Sequence, residues 1–417
     1  MSLSQERTQE LLSLKGNEYT PYHRQTLLNN GTLFGKMKDQ KGLWLQMAKH
    51  AQTVAGNTRV TEVLPKATPG TTFVTSNIIE FVVPKLQVQK QMDFEVSLTN
   101  ADGSNAWNPT LCPWFWIDNI QILQKGVVKQ EIRPEDIRDR FIYLKRDLQD
   151  RQVMSSANYG VNSATYVTNA SLAASASGTF RINIPSVLDG MYIENLEETI
   201  VRVTPSPIAN WSSDTGENPD VTITGAKLRI VDVQVDENTR KRLRHENSTH
   251  HDKRVLLPTQ ELQTVSLSTS STPVVMRNFN DTPYVAFATI EIYDPANAYN
   301  RNTLLPLTSL SLAASSGTVV DGITWSSANN LTYLAPQTFE KNSFYTQATY
   351  PYIYILPGAC IDGFASLSQG VHTGGIAFDR DMQLNLVAPS SYASHTLLIR
   401  VHAYRHVRVS NGVINVL

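Results

Sequence analysis

The stretch Lys227-Leu228-Arg229-Ile230-Val231-Asp232-Val233-Gln234-Val235 reads as a strand, and the residues after it divide the chain in two. Leu228 and Ile230 alternate with polar neighbours, and the period of two slips by one through Val231, Val233 and Val235. A basic, polar run from Asn238 to Arg254 comes next. A second strand-like run then starts at Val255-Leu256-Leu257-Pro258 and carries Leu262, Val265 and Leu267. One all-β body ends at this seam and another begins. The expected layout is an N-terminal arm over 1–70, a first β body over 71–237, a linker over 238–254 and a second β body over 255–417.

The length of 417 residues suits this division, because each β body is long enough for a full core. Charged residues make up 18% of the chain, below the roughly 25% usual for soluble domains. The net charge of −1 is unevenly spread: residues 1–66 carry nine Lys/Arg against five Asp/Glu, and residues 240–254 six against two. A basic arm on an otherwise acidic body suits an anionic partner such as nucleic acid or lipid head groups, or ordinary solvated charge. Two cysteines, Cys112 and Cys360, form neither a disulfide framework nor a metal quartet, and suit folding in a reducing cytoplasm. Residues 1–30 lack a signal-peptide apolar region, and no run approaches the roughly 18 apolar residues of a membrane span.

Within the arm, residues 39–54 have helical periodicity. Leu43, Met47, Ala51 and Val54 share one face, Trp44 and Ala48 widen it, and Lys41, Lys49 and His50 flank it. Leu43, Trp44, Met47, Lys41 and Lys49 are therefore the candidate contact residues, toward a membrane surface, a neighbouring subunit or the chain's own body. From Thr71 the texture is β, with runs at 78–83, 94–98 and 114–123, and a return over 127–132 after the Lys125-Gly126 turn. Pro134 with Glu135-Asp136 opens a helix expected to run to about Arg151, with Ile137, Phe141, Leu144 and Leu148 on one face.

The two halves echo each other. Ile182-Asn183-Ile184-Pro185-Ser186 resembles Leu384-Asn385-Leu386 with Pro389-Ser390. Each is followed by a strand alternating apolar residues with Arg: Leu228-Arg229-Ile230 and Ile399-Arg400-Val401. This alignment implies an insertion of about 31 residues in the first half. Two bodies of about eight strands each suit two tandem jelly-roll β-sandwiches, an all-β fold with an N-terminal helical arm.

Residues 169–180 (Asn-Ala-Ser-Leu-Ala-Ala-Ser-Ala-Ser-Gly-Thr-Phe) with Ile182, Ile184-Pro185 and Leu188 are similar to part of the tectivirus major capsid proteins. So are Tyr284–Asp294 and Leu398–Tyr404. Across about residues 70–410 the chain resembles a double jelly-roll major capsid protein of a tailless icosahedral bacterial virus. That resemblance implies a homotrimer with six rolls, a pseudo-hexagonal tile that joins neighbouring capsomers and minor capsid or vertex proteins in a virion shell around the genome. It implies assembly from chains made in the host cytoplasm, and an arm lying beneath the shell, near internal membrane lipids or a neighbouring capsomer.

No phosphate loop, nucleophile elbow or His-Glu-x-x-His pattern is present, so neither an enzyme nor a cofactor is expected. His250-His251 is a weak metal pair beside the usual multi-ligand patterns. His402 and His406 lie four apart in a strand and share a face. Arg240-Lys241-Arg242-Leu243-Arg244 reads as a solvated stretch of linker, without sequence-specific nucleic-acid binding. The alternative function is a receptor- or carbohydrate-binding β-sandwich with a face built from Trp107, Trp114, Trp116, Trp211 and Trp325, although Trp114 and Trp116 read as core.

Overall fold

The structure, a computed structural model, describes residues 57–104, 106, 116–139, 172–207, 220–249, 251–277, 279, 282–294, 304–314, 317–324, 354–357, 376–378 and 382–416. Its first half holds β1 (Asn57–Val63), β2 (Ile79–Val82), β3 (Val88–Asn100), β4 (Ile117–Gln124), β5 (Val127–Ile132), α1 (Pro134–Asp139), β6 (Ser177–Asn183), β7 (Thr199–Pro205) and β8 (Val221–Gln234). Helix α2 (Glu237–Thr249) comes after β8. The second half holds β9 (His251–Leu267), β10 (Thr272–Val275), β11 (Thr282–Tyr293), β12 (Ser309–Ala314), β13 (Gly317–Thr324), β14 (Tyr354–Pro357), β15 (Ile376–Phe378), β16 (Gln383–Val387), β17 (Tyr392–Ser410) and β18 (Val413–Val416).

The first eight strands form two four-stranded antiparallel sheets, β1-β8-β3-β6 and β2-β7-β4-β5. The second half repeats the wiring. Sheet β9-β17-β11-β14 corresponds to the first, with β15 also beside β11 and β18 beside β17, and β10-β16-β12-β13 corresponds to the second. This strand order, in which the chain crosses repeatedly between facing sheets, is that of a jelly roll.

Strand β8 shows how the sequence sets the fold. Leu228 and Ile230 point inward and are fully buried against Phe94, Ile182 and Met92 of the same core. Gly225 sits at a bulge, where the register against β3 shifts between Ser97 and Leu98. The slip in its alternation has a physical cause. Val233 faces outward and is nonetheless buried, packed with Val88 and Tyr192 beneath Val235 and Leu243. Leu243 belongs to α2, so the extra apolar residues mark where that helix folds over the end of the sheet.

The basic run read from sequence as linker is thus helical from Glu237 to Thr249, and β9 begins at His251 rather than near Val255. Asp236 caps α2: the N–H groups of Asn238 and Thr239 donate to its Oδ1 at 3.0 Å each, and the Thr239 hydroxyl donates to Oδ2 at 2.6 Å. Those hydrogen bonds, led by the Thr239 hydroxyl, hold the Asp236 carboxyl below its ordinary value. The first roll also starts earlier than Thr71. Its edge strand is Asn57–Val63, inside the range read as arm, and it escaped notice because an edge strand with mostly exposed side chains needs no apolar alternation.

The echo between halves needs one correction. Asn183 ends β6, whereas Asn385 lies on β16, which corresponds to β7. The motif therefore aligns non-equivalent strands, and the implied 31-residue insertion goes with it; the connections that do correspond are 206–220 and 388–391. The Arg229 and Arg400 part of the echo stands, since β8 and β17 hold the same place in their sheets. Helix α1 begins at Pro134 as expected and buries Ile137; Phe141, Leu144 and Leu148 lie outside the described residues.

Candidate functional site

The candidate functional surfaces are the outward faces of the two corresponding sheets. In the second roll that face carries Leu398, Arg400 and His402 on β17, with Thr289 and Glu291 opposite on β11. All five are buried. Their neighbours on β17, Leu397, Ile399, Val401 and Ala403, face the second roll's own core, so β17 is covered on both sides there. The outer cover is the first roll. Leu398, Tyr293, Leu304, Val407, Val409 and Ile414 belong to the same apolar cluster as Ile137 and the first roll's core.

Two polar anchors fix this joint. Arg400, with no exposed side-chain surface, forms an ion pair with Asp136 of α1. Asp136 also accepts from the Arg133 N–H at 2.7 Å, closing the first turn of α1 as a capping box does. The second anchor is the β17–β18 turn, Asn411-Gly412, with φ of 49° and 76°. Buried Gln124, at the end of β4, donates to the Gly412 carbonyl at 3.3 Å and to Thr199 Oγ1 at 3.1 Å, and accepts from the Ile414 N–H at 2.8 Å. The Glu197 N–H donates to the same Gly412 carbonyl at 2.9 Å. A Cβ at Gly412 would sit 2.6 Å from the Asn195 carbonyl oxygen, so the turn approaches the first roll more closely than a side chain permits.

The seam helix adds a third tie, to the first roll. Arg240 donates to Glu194 at 2.9 Å through Nε, and Arg244 lies 3.2 Å from the same carboxylate. Arg240, foremost, holds the Glu194 carboxyl below its ordinary value of 4.5, and Glu194 raises Arg240 in return. Arg240 and Arg244 thus have a structural partner in Glu194, which supplies a role for the basic run other than a nucleic-acid patch.

The corresponding outward face of the first roll carries a lattice of charges instead. Glu95 on β3 lies 2.8 Å from Arg181, 3.3 Å from Arg229 and 3.5 Å from Lys227; Glu62 on β1 lies 2.6 Å from Arg229 and 3.3 Å from Lys227. Asp93 accepts from Asn183 at 2.7 Å and from Gln91 at 2.8 and 2.9 Å. Hydrogen bonding from Arg229, ahead of Lys227, lowers the Glu62 carboxyl.

Leu43, Trp44, Met47, Lys41 and Lys49 lie outside the described residues, as do Trp107, Trp114, Trp211, Trp325, Cys112, Cys360 and His250. Trp116 is buried against Phe180, ring centroids 5.2 Å apart, and offers no sugar-stacking face. An apolar gap between the sheets, lined by Phe73, Phe94, Trp116 and Ile182, has room for about one water, near 10 Å³. Among the described residues no three His, Cys, Asp or Glu side chains converge as a metal site, and no helix is long and apolar enough to cross a membrane.

No protein-family model matches this sequence, and no curated protein matches it. Solved structures do. The chain superposes on a subunit of the PBCV-1 virus capsid with a TM-score of 0.65 at 11% identity, covering 87% of this chain and 97% of that one. It superposes on the Faustovirus major capsid protein with 0.59 at 8% identity (85% and 91% covered). For a Sputnik virophage chain the values are 0.52 and 11% (87% and 89% covered). The fold is a double jelly roll. Likeness at such low identity, spanning nearly the whole of each chain, carries the architecture, and the double jelly roll gives the two outward faces their correspondence.

Proposed function

We propose that this chain is a major capsid protein whose trimers form pseudo-hexagonal tiles of an icosahedral virion shell around the genome. The observation that carries the reading is the joint between the rolls: a continuous apolar cluster, the Arg400–Asp136 pair and the Gln124–Gly412 clamp. A tile with six similar corners made from three chains needs two similar domains held at one fixed angle, and a closed ring then buries the same contact repeatedly. The double jelly roll shared with the PBCV-1, Faustovirus and Sputnik chains supports the same role.

Under this reading the chain resides in the virion and meets neighbouring capsomers and minor capsid or vertex proteins. The layout is an arm before residue 57, a first roll from Asn57 to Gln234, the connecting helix Glu237–Thr249 and a second roll from His251, with the arm's Leu43, Trp44 and Met47, flanked by Lys41 and Lys49, turned toward internal lipid or a neighbouring capsomer. The assignment to a bacterial virus rests on the likeness of 169–180, 284–294 and 398–404 to tectivirus sequences. Solution mass measurement over a range of concentration and ionic strength, with negative-stain imaging, tests the reading. Trimers and hexagonal capsomers are expected; a chain that stays monomeric throughout overturns it. Deleting residues 1–54 is expected to leave trimers intact and impair shell assembly or lipid attachment, and normal particles from the truncated chain would refute the role of the arm.

A further inference from the structure

Of the histidine pair read from the sequence, His402 falls inside the joint between the rolls. It is 6% exposed and stands two residues from Arg400 on the same face of β17, the face covered by the first roll. At a rise of about 3.3 Å per residue, the two side chains leave the strand about 7 Å apart. Rows across the sheet order the charges on this face. Thr289, Arg400 and Gln260 share one row, and Phe287, His402 and Pro258 share the next; Glu291, Leu398 and Leu262 form the row on the other side of Arg400. Arg400 is thus the nearest charge to His402 on its own sheet, and Glu291 lies beyond it. Further along β17 the same alternation places His406, with Arg254 opposite in register, and then Arg408, with Asp252 opposite.

The elements packed against β17 offer little to hold a second cation there. On α1, Asp136 is already bonded to Arg400, and Glu135, one residue earlier, is turned about 100° round the helix from it. Arg133, just before α1, is bound to Glu131. Gln124 and the Asn411-Gly412 turn carry no charge. Helix α2, which touches β17 and β9, adds the cations Lys241 and Arg242 and the titratable His245, while its Arg240 and Arg244 are taken up by Glu194. We propose that this joint is an acid-sensitive latch: protonating His402 puts a second cation beside Arg400 in a surface removed from water, and the two rolls part. Burial and Arg400 both disfavour the imidazolium, so His402 in the closed joint takes up a proton less readily than an exposed histidine, whose ordinary value is about 6.5. Below that value the parted state binds more protons than the closed one. Closure is therefore fully present above about pH 6.5 and weakens by up to about tenfold for each pH unit below it, until the closed joint itself takes up the proton. The device lies within one chain and stands apart from the tile reading; in a tile it would loosen every corner at once.

The test follows the full chain from about pH 7.5 to about pH 5.5. Amide exchange at β18 and the Asn411-Gly412 turn, corrected for the intrinsic effect of pH, reads the opening of the joint. Exchange of the histidine C2 hydrogens, read by mass spectrometry, reports the protonation of each imidazole in the unmodified chain. An opening constant that rises about tenfold per pH unit below about 6.5 is expected at the turn, with His402 itself titrating below that value. His402→Gln should leave the opening flat over this range, and His395→Gln, near the other end of β17, should leave it rising. Equal opening at both ends of the range, a rise that survives His402→Gln, or a His402 that titrates above about 6.5 would each overturn the latch. If His402→Gln does not fold, the imidazole titration in the unmodified chain decides. None of these readouts depends on trimers, so a negative result leaves the tile reading standing.

Discussion

Arg229 and Arg400 occupy the same place in two sheets of the same wiring, and their surroundings differ completely. Arg229 is about a quarter exposed and shares Glu62 and Glu95 with Lys227. Arg400 is fully buried and pairs with Asp136 of the other roll. What a position contributes is therefore set by what lies against it. On the open face charge is distributed over many weak, water-screened pairs. On the covered face the polar link is made by groups removed from water, the Arg400–Asp136 pair and the Gln124–Gly412 clamp.

The comparison breaks most decisively at Arg400. Arg400→Ala removes the cationic partner of Asp136 in a buried joint and is expected to cost about 3–5 kcal/mol in denaturant unfolding. Arg229→Ala is expected to cost less than about 1 kcal/mol in the same measurement on the monomer. Equal losses at the two sites would refute the assignment of one face as covered and the other as open. Next comes Gly412→Ala, which combines a positive φ of 76° with a 2.6 Å approach to the Asn195 carbonyl; a loss of about 2–3 kcal/mol is expected from thermal melts. Glu194→Gln weakens the clamp on Arg240 and Arg244, with an expected loss of about 1 kcal/mol and earlier amide exchange in α2.

The smallest effect is a pH dependence. Glu62, Glu80 and Glu194 all have carboxyls lowered from 4.5, mainly by hydrogen bonds from Arg229, Arg202 and Arg240 respectively. A lowered carboxyl contributes stability that is present above its unfolded value and lost as pH falls through its folded value. Melting temperature is therefore expected to be insensitive to these groups near neutrality and to decline below about pH 4.5. Added salt should blunt the Glu62 part, since that side chain is exposed. A monomer whose stability rises on acidification through this window would contradict the pairing.

Much of the fold was legible in short patterns. The alternation Leu228, Ile230 marked β8, Lys125-Gly126 marked a hairpin that has positive φ at both residues, and Pro134 with Glu135-Asp136 marked the start of α1. Even the slip at Val231–Val235 was informative, although its cause, the cover of α2 over Val233, could not be read locally. Helix α2 itself was missed because it is almost wholly polar, with Leu243 supplying its apolar anchor; Asp236 followed three residues later by Thr239 was the signal that could have found it. Strand β1 was missed because it lies at an edge. The Asn-Pro-Ser echo misled because short apolar–Asn–apolar runs recur on strands of different place in the wiring. The joint was half legible: sequence placed Arg229 and Arg400 in corresponding strands, yet that Arg400 would be buried depends on Asp136, 264 positions away.

The contact between Gln124 and Gly412 spans 288 positions. Closing a loop of that length is costly in chain entropy, so such contacts form after local ones and depend on both rolls being in place. Once made, the clamp couples the melting of one roll to that of the other: loosening either removes partners from the shared apolar cluster. Heating should therefore unfold the pair as one cooperative unit, a single calorimetric peak where two independent sandwiches would give two.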